Sequence, residues 1–130
     1  MVPEWQEVAD GLQASNQCCY TRDSPPEDPS LGGAEEHAPL LEVRADGRAV
    51  VTLGAQHPMT ADHWITTMYV RDQDGVVVGF RDFGATQLKP QFSRGYQPSL
   101  EIALPAGTTS VRAFSFCNLH SHWAGETISV

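Results

Sequence analysis

The 130-residue chain has a single lysine, Lys89, and no apolar run long enough to cross a bilayer. Sixteen acidic residues against eight basic ones give a formal net charge of −8. Nucleic acids and anionic membrane surfaces are bound mainly through Lys and Arg, so this balance argues against either as a partner. At this length we expect one soluble domain with its own core.

Cysteine is also scarce, with three residues in the chain. Cys18 and Cys19 are adjacent, which makes a bond between them strained, and Cys117 lies far away, so no disulfide framework is visible. The first residues, MVPEWQEVADGLQ, lack a basic region followed by an apolar stretch, and we therefore expect no secretory signal. Together these features predict a reducing compartment, the cytoplasm.

The chain divides into an irregular N-terminal part and a β-rich remainder. Residues 1–13 predict a short amphipathic helix through Trp5, Val8 and Leu12, whereas residues 20–34 hold three prolines and two glycines and predict a linker. From residue 40 onward short apolar strands alternate with turn signals, among them Asp46-Gly47 and Asp74-Gly75. This spacing predicts an antiparallel sandwich or barrel.

Five residues that favour transition metals lie at predicted loops or strand ends. His57 and His63 bracket HPMTADH, Cys117 and His120 bracket CNLH, and His37 follows the linker. Imidazole and thiolate bind iron, zinc or copper, and five such ligands suit an ion of higher coordination that keeps one position open, for which iron is the natural candidate. The fifth histidine, His122, is interpreted as a supporting or surface residue.

The segments EEHAPLLEV, HPMTADHWI and CNLHSHW resemble, in order and spacing, the three iron-site motifs of superoxide reductase, the catalytic domain of desulfoferrodoxin and neelaredoxin. The resemblance implies an immunoglobulin-like antiparallel β-sandwich of about seven strands over residues 35–130, after an N-terminal extension over 1–34. It further implies one iron per chain, cycling between Fe²⁺ and Fe³⁺. The implied ligands are four equatorial histidines and an axial thiolate: His37, His57, His63, His120 and Cys117.

The implied reaction is the one-electron reduction of superoxide to hydrogen peroxide at the open sixth position. Glu35 matches the glutamate that occupies this position in the ferric resting state. The backbone N–H groups of Asn118 and Leu119 could donate hydrogen bonds to the Cys117 sulfur and temper its electron donation. The implied partners are a small electron-donor protein such as rubredoxin and further copies of the chain, as a dimer or tetramer.

Glu36 departs from the family pattern, which usually reads Glu-Lys-His where this chain reads Glu35-Glu36-His37. The family lysine attracts the superoxide anion, and a glutamate reverses that charge; Lys89 could stand in if its loop reaches the site. Two alternatives therefore stay open: another redox enzyme that uses the same iron site on a different small molecule, and a non-catalytic metal or redox-sensing module. Glu36 could also be a surface acid that points away.

Two smaller departures concern the N-terminal part and the last strands. Cys18-Cys19 is half of the four-cysteine set of a desulforedoxin-like iron centre, so we interpret the pair as a relic, with an intersubunit zinc site or disulfide as the alternative. Phe116 stands where many relatives carry tyrosine, and we interpret it as a packing residue.

Overall fold

Seven strands form the body of the molecule within the residues that this computed structural model describes, namely 3–15, 18–28, 30, 32–60, 62–84 and 96–130. The strands are β1 (Pro39–Val43), β2 (Arg48–Leu53), β3 (Ile65–Asp72), β4 (Val77–Asp82), β5 (Leu100–Ala103), β6 (Ser110–Cys117) and β7 (Ser121–Ser129). Two helices precede them in the described ranges, α1 (Pro3–Ser15) and α2 (Ala34–His37). Neither is both long and apolar enough to cross a membrane.

The strands form two antiparallel sheets. One sheet has the order β1-β2-β5 and the other the order β4-β3-β6-β7, with every neighbouring pair antiparallel. The chain passes from one sheet to the other after β2, after β4 and after β5, as in an immunoglobulin-like sandwich. The predicted all-β sandwich is confirmed, and the barrel alternative is wrong.

Both predicted hairpins are present. Gly47 ends the turn between β1 and β2 with φ +83°, and Gly75 ends the turn between β3 and β4 with φ +80°, a region that glycine enters without steric cost. In the second turn the Asp72 side chain accepts hydrogen bonds from the amides of Asp74 and Val76 at 2.9 and 3.0 Å. These turn residues set the register of the strands on either side.

The core between the sheets is built from alternate strand residues. Val51 of the three-stranded sheet packs with Met68, Val70 and Val111 of the four-stranded sheet, and Cys117 belongs to the same buried cluster. Successive strand residues point to opposite faces, so the neighbours of these residues lie on the outer faces of the sheets.

Helix α1 covers the outer face of the four-stranded sheet. Ala9 is buried against Tyr69 of β3, and Trp5 stacks on Phe80 of β4 with ring centroids 6.3 Å apart. The predicted helix is confirmed, but Val8, which was expected on its buried stripe, is 47% exposed. The buried face runs through Trp5 and Ala9 instead, because it meets a sheet whose central strand is apolar on both faces.

The segment after α1 lies along β7. The structure joins Cys18 and Cys19 in a disulfide, which the sequence did not lead us to expect. Tyr20 then forms a parallel bridge with Trp123: its amide donates to the carbonyl of His122 at 2.9 Å, and its carbonyl accepts from Ala124 at 2.8 Å. The predicted linker is irregular over residues 20–28 and 32–33, and its last residue, Ala34, begins the short helix α2. The division into 1–34 and 35–130 stays a prediction.

Gly125 is required where β1 crosses β7. A Cβ at this position would lie 2.4 Å from the carbonyl oxygen of Pro39, a backbone atom that cannot move aside without shifting β1. We expect Gly125→Ala to lower the free energy of unfolding by about 1–3 kcal/mol through overpacking, measured by thermal or urea denaturation.

The control is Gly11→Ala on α1, where no atom lies within 4 Å of the added Cβ. Alanine is the better helix former, so this variant should unfold at the same or a higher temperature than the parent. Equal stability of the Gly125→Ala variant and the parent would contradict the close crossing.

Candidate metal centre

Five side chains converge where the loops between strands meet at one end of the sandwich. One ligand atom from each lies within 4.8 Å of that of every other member: His37, His57, His63, Cys117 and His120. These are the five residues that the sequence selected. His37 ends α2, His57 and His63 come from the loop between β2 and β3, and Cys117 and His120 flank the turn between β6 and β7.

The four imidazole rings form a closed square. Going around it, His37 neighbours His57, His57 neighbours His63, His63 neighbours His120, and His120 neighbours His37 again. Ring centroids of neighbours are 4.7–4.8 Å apart and their planes cross at 71–83°. Edge-on neighbours of this kind direct one nitrogen of each ring toward a common centre, the arrangement of equatorial ligands around an ion.

The hydrogen bonds of two rings fix which nitrogens carry hydrogen. His37 Nδ1 donates to the carbonyl of Gly33 at 2.8 Å, and His57 Nδ1 donates to the carbonyl of Pro58 at 2.7 Å. In a neutral ring the other nitrogen then carries a lone pair, yet the Nε2 atoms of His37 and His57 face each other at 3.0 Å. Two lone pairs at this distance repel each other, and a cation between them turns the contact into shared coordination.

The other two rings point to the same centre. Nε2 of His63 is buried and has no hydrogen-bond partner among the described residues. Nδ1 of His120 lies 3.0 Å from Nε2 of His37 and 3.7 Å from the sulfur of Cys117. The donor set therefore fits a bound transition-metal ion, with His120 presenting its δ nitrogen.

Burial keeps three of the rings, those of His37, His57 and His63, neutral and able to bind a metal ion. It lowers the pKa of His37 and His63, and it lowers the pKa of His57 to about 3. A histidine that is already unprotonated need not release a proton before it binds a metal, so the free energy of binding is not reduced at neutral pH.

Cys117 lies on the core side of the square and is fully buried. Burial raises the pKa of its thiol, while the amides of Leu119 and His120 donate to the sulfur and act in the opposite direction. The predicted donors were Asn118 and Leu119. The prediction for Asn118 is wrong, because its amide donates to the carbonyl of Trp64 at 3.3 Å. A metal ion would supply the positive charge that a buried thiolate needs.

Hydrogen bonds hold the ligand-bearing loops in place. The Ser115 hydroxyl donates to the carbonyl of His37 at 2.5 Å, and the Gln97 side chain accepts from the amide of His57 at 3.1 Å. Asn118 joins two loops, since its side chain accepts from the Trp64 amide at 2.9 Å and donates to the carbonyl of Asp62 at 2.9 Å. Asn118 therefore supports the site through its side chain.

Two residues that hold the ligand rings in place were not predicted from the sequence. The Trp123 ring stacks on the His37 ring at 5.2 Å, and its Nε1 donates to the carbonyl of His120 at 2.9 Å. Gly32, with φ +105°, passes so close that a Cβ would lie 2.8 Å from the His37 ring and 2.9 Å from the His120 ring. The glycine pair at the end of the linker was a signal for Gly32, but its role depends on ring positions.

The two acids before His37 are placed differently. Glu35 forms an ion pair with Arg22 and is not one of the clustered ligands. A carboxylate oxygen of Glu36 lies 3.9 Å from Nδ1 of His37. Burial lowers the pKa of His37 and of His63, and the negative charge of Glu36 acts to raise the pKa of both rings. Glu36 therefore contacts the outer nitrogen of His37, and its carboxylate accepts from the amide of Gly33 at 3.4 Å, so its interpretation as a surface acid that points away stays open.

The outcomes for Lys89, His122 and Phe116 differ. Lys89 lies outside the described residues, so its proposed substitution for the family lysine stays a prediction. His122 is fully buried, which makes the surface interpretation wrong; it lies 2.8 Å from the Tyr69 hydroxyl, and burial lowers its pKa to about 4. Phe116 packs with its ring centroid 5.5 Å from that of His122.

The chain is similar to a known family over most of its length. The family model described as Desulfoferrodoxin matches residues 31–126, which include all five clustered ligands. A desulfoferrodoxin from Nitratidesulfovibrio vulgaris is 35% identical over 75% of this chain and 67% of its own length. A putative superoxide reductase from Archaeoglobus fulgidus is 35% identical over 71% of this chain and 86% of its own length.

Solved structures share the fold. The superoxide reductase (neelaredoxin) from Archaeoglobus fulgidus in the reduced form matches with a TM-score of 0.58 and 30% identity, over 74% of this chain and 92% of that one. The superoxide reductase from Treponema pallidum matches with a TM-score of 0.55 and 28% identity, over 71% of this chain and 65% of that one. The chain thus spans about two thirds of the Treponema and Nitratidesulfovibrio proteins.

Gly32 offers a test of the ring arrangement. We expect Gly32→Ala to displace the His37 and His120 rings and to weaken metal binding by about 10- to 100-fold, the usual effect of disturbing groups that orient ligands. The measurement is the dissociation constant for Fe²⁺ under anaerobic conditions, together with iron content after dialysis.

Gly33→Ala is the matched control, since its added Cβ meets nothing closer than 3.6 Å. It should bind iron as the parent does. If both variants bind iron equally, the close approach of Gly32 does not orient the ligands.

Proposed function

The chain belongs to the desulfoferrodoxin family, and we propose that it is a mononuclear non-haem iron superoxide reductase with one iron per chain. The observation that carries this proposal is the square of imidazoles, in which two unprotonated nitrogens face each other at 3.0 Å above a buried cysteine. Two proteins from Archaeoglobus fulgidus that are named superoxide reductases are 35% and 30% identical to it in the matched regions. The reaction is the one-electron reduction of superoxide to hydrogen peroxide.

Iron fits the donor set better than zinc does. Structural zinc sites are closed by four ligands, whereas five donors leave one position of an octahedral ion for a substrate. The ligands we propose are His37, His57, His63 and His120 around the ion and Cys117 beneath it. When bound, ferrous iron would supply the single electron that superoxide needs, and the Cys117 thiolate would favour its donation.

The chain orients the site so that one side faces the core and the other faces solvent. Cys117 is enclosed, whereas His63 and His120 are partly exposed, so the anion and its protons would arrive on the side away from the sulfur. The reaction consumes two protons per superoxide, and solvent on this side can supply them. Glu36 borders the square and sets the charge that an approaching anion meets.

Glu35 is proposed as the carboxylate that caps the ferric site after turnover. In the structure it is paired with Arg22 on the segment after α1, so capping would require this ion pair to open. A small electron-donor protein such as rubredoxin would return the iron to the ferrous state, and we propose that the chain works as a homo-oligomer in the cytoplasm.

The direct test mixes iron-loaded, reduced protein with a superoxide pulse and follows the thiolate-to-ferric absorption band and the hydrogen peroxide released. We expect the band to appear with one peroxide per iron oxidised. A band that forms rapidly with chemical oxidants but slowly with superoxide would overturn the substrate and favour a different small molecule at the same iron site.

Glu36 should slow the capture of superoxide by repelling it. We expect Glu36→Lys to raise the second-order rate constant about three- to tenfold, on the order of 1 kcal/mol once solvent screening of this partly exposed group is included. Glu36→Gln should give a smaller gain. Added salt should accelerate the parent protein and slow the lysine variant, because screening weakens repulsion and attraction alike.

The matched control is Glu42→Lys, the same charge change on β1 at a side chain that is 75% exposed and contacts Arg44. It alters the net charge equally without touching the square. If it changes the rate constant as much as Glu36→Lys does, the effect belongs to the overall charge, and Glu36 has no local role.

A further inference from the structure

We propose that Cys18, Cys19 and His122 form a second metal site, which reduction of the disulfide opens and which then takes Zn²⁺. The two sulfurs and one ring nitrogen of His122 lie within 4.8 Å of one another. None of the three belongs to the square of imidazoles, and the proposal does not depend on the reaction at that square.

The hydrogen bonds of His122 leave one of its ring nitrogens available to bind an ion. Its ring is fully buried, and its Nε2 lies 2.8 Å from the Tyr69 hydroxyl. Burial lowers the pKa of the ring, and the carbonyl of Leu12 on α1 acts to raise it. Nδ1 nevertheless has no partner at hydrogen-bond geometry among the described residues. If Nε2 donates to the Tyr69 oxygen, Nδ1 carries the lone pair, and a hydrogen bond of this kind commonly orients metal-binding histidines.

Backbone hydrogen bonds place the cysteines beside His122 without help from the disulfide. Tyr20, which follows Cys19 directly, is hydrogen-bonded to the carbonyl of His122 and to the amide of Ala124. Cys19 also packs on the apolar cluster beneath α1. When the disulfide is reduced these contacts remain, so the sulfurs stay next to the ring.

The two cysteines differ in access. Cys18 is exposed and accepts a hydrogen bond from the Gln13 side chain at 3.1 Å, and Gln13 is itself held by Arg71. A donor on sulfur favours the thiolate, and an exposed sulfur can be attacked by a reducing thiol. We therefore expect a reductant to attack the sulfur of Cys18.

The site forms in two steps, reduction of the disulfide and then binding of Zn²⁺. A dithiol reductant transfers two electrons and two protons, so that the bond between Cys18 and Cys19 breaks into two thiols while the reductant becomes a disulfide. Zn²⁺ then displaces the two thiol protons and is held by two thiolates and the neutral imidazole of His122, with no net charge on the site. Three protein ligands leave the fourth tetrahedral position to water or another small ligand.

The experiment uses the iron-loaded chain, either oxidised or reduced with a phosphine that is removed anaerobically before titration. We expect the reduced chain to bind one further equivalent of Zn²⁺ per chain by calorimetry, with release of two protons. Cd²⁺ should give a thiolate-to-cadmium absorption band of the same stoichiometry. The oxidised chain should bind neither ion beyond its iron.

Two variants separate this site from adventitious thiol binding. His122→Gln should weaken Zn²⁺ binding at least tenfold while a thiol assay still counts both cysteines, and Cys18→Ser, at an exposed position, should abolish it with the fold intact. The ferric absorption band and the iron content monitor the first site throughout. The proposal is overturned if the reduced chain binds no further equivalent, or if either variant binds Zn²⁺ as the parent does.

Discussion

The repulsion between unprotonated imidazoles is the constraint on which the site end of the molecule depends. Nε2 of His37 and Nε2 of His57 lie 3.0 Å apart although hydrogen bonds to backbone carbonyls place the hydrogen of each ring on its other nitrogen. Burial prevents protonation from relieving the contact, since it lowers the pKa of both rings. The folded chain must therefore hold these nitrogens together by packing and backbone hydrogen bonds until an ion neutralises their repulsion.

The sandwich resists this repulsion because its strands end at the same place. Cys117 closes β6 inside the core, and His120 returns over it through a turn that ends in Ser121, a non-glycine residue with φ +67°. Trp123, near the start of β7, then contacts two ligands. Its ring stacks on His37, and its Nε1 donates a hydrogen bond to the carbonyl of His120. The strand framework thus fixes the ligands that come from loops.

The sequence was sufficient for features that residue type decides. Histidine and cysteine at strand ends indicated the ligands, and Asp-Gly pairs indicated both hairpins. The sequence was not sufficient to predict contacts between two surfaces. The choice of Ala9 over Val8 as the buried residue of α1 depends on the angle at which the helix meets the sheet. The need for Gly32 depends on the position of two rings that are distant in sequence, and no periodicity encodes that distance.

On the proposed function, the charges around the square give the acid at position 36 a larger effect on superoxide capture than the acid at position 35. A divalent ion with one thiolate would leave a net charge of +1 at the site, which by itself attracts superoxide. Glu35 adds little to this balance, because Arg22 neutralises it. Glu36 lies 3.9 Å from the His37 ring, and its carboxylate would offset the positive charge of the site, so that the net charge of −8 on the chain repels the anion. On the proposed function, this departure from the family pattern would slow the approach of superoxide and would leave the ligands of the ion unchanged.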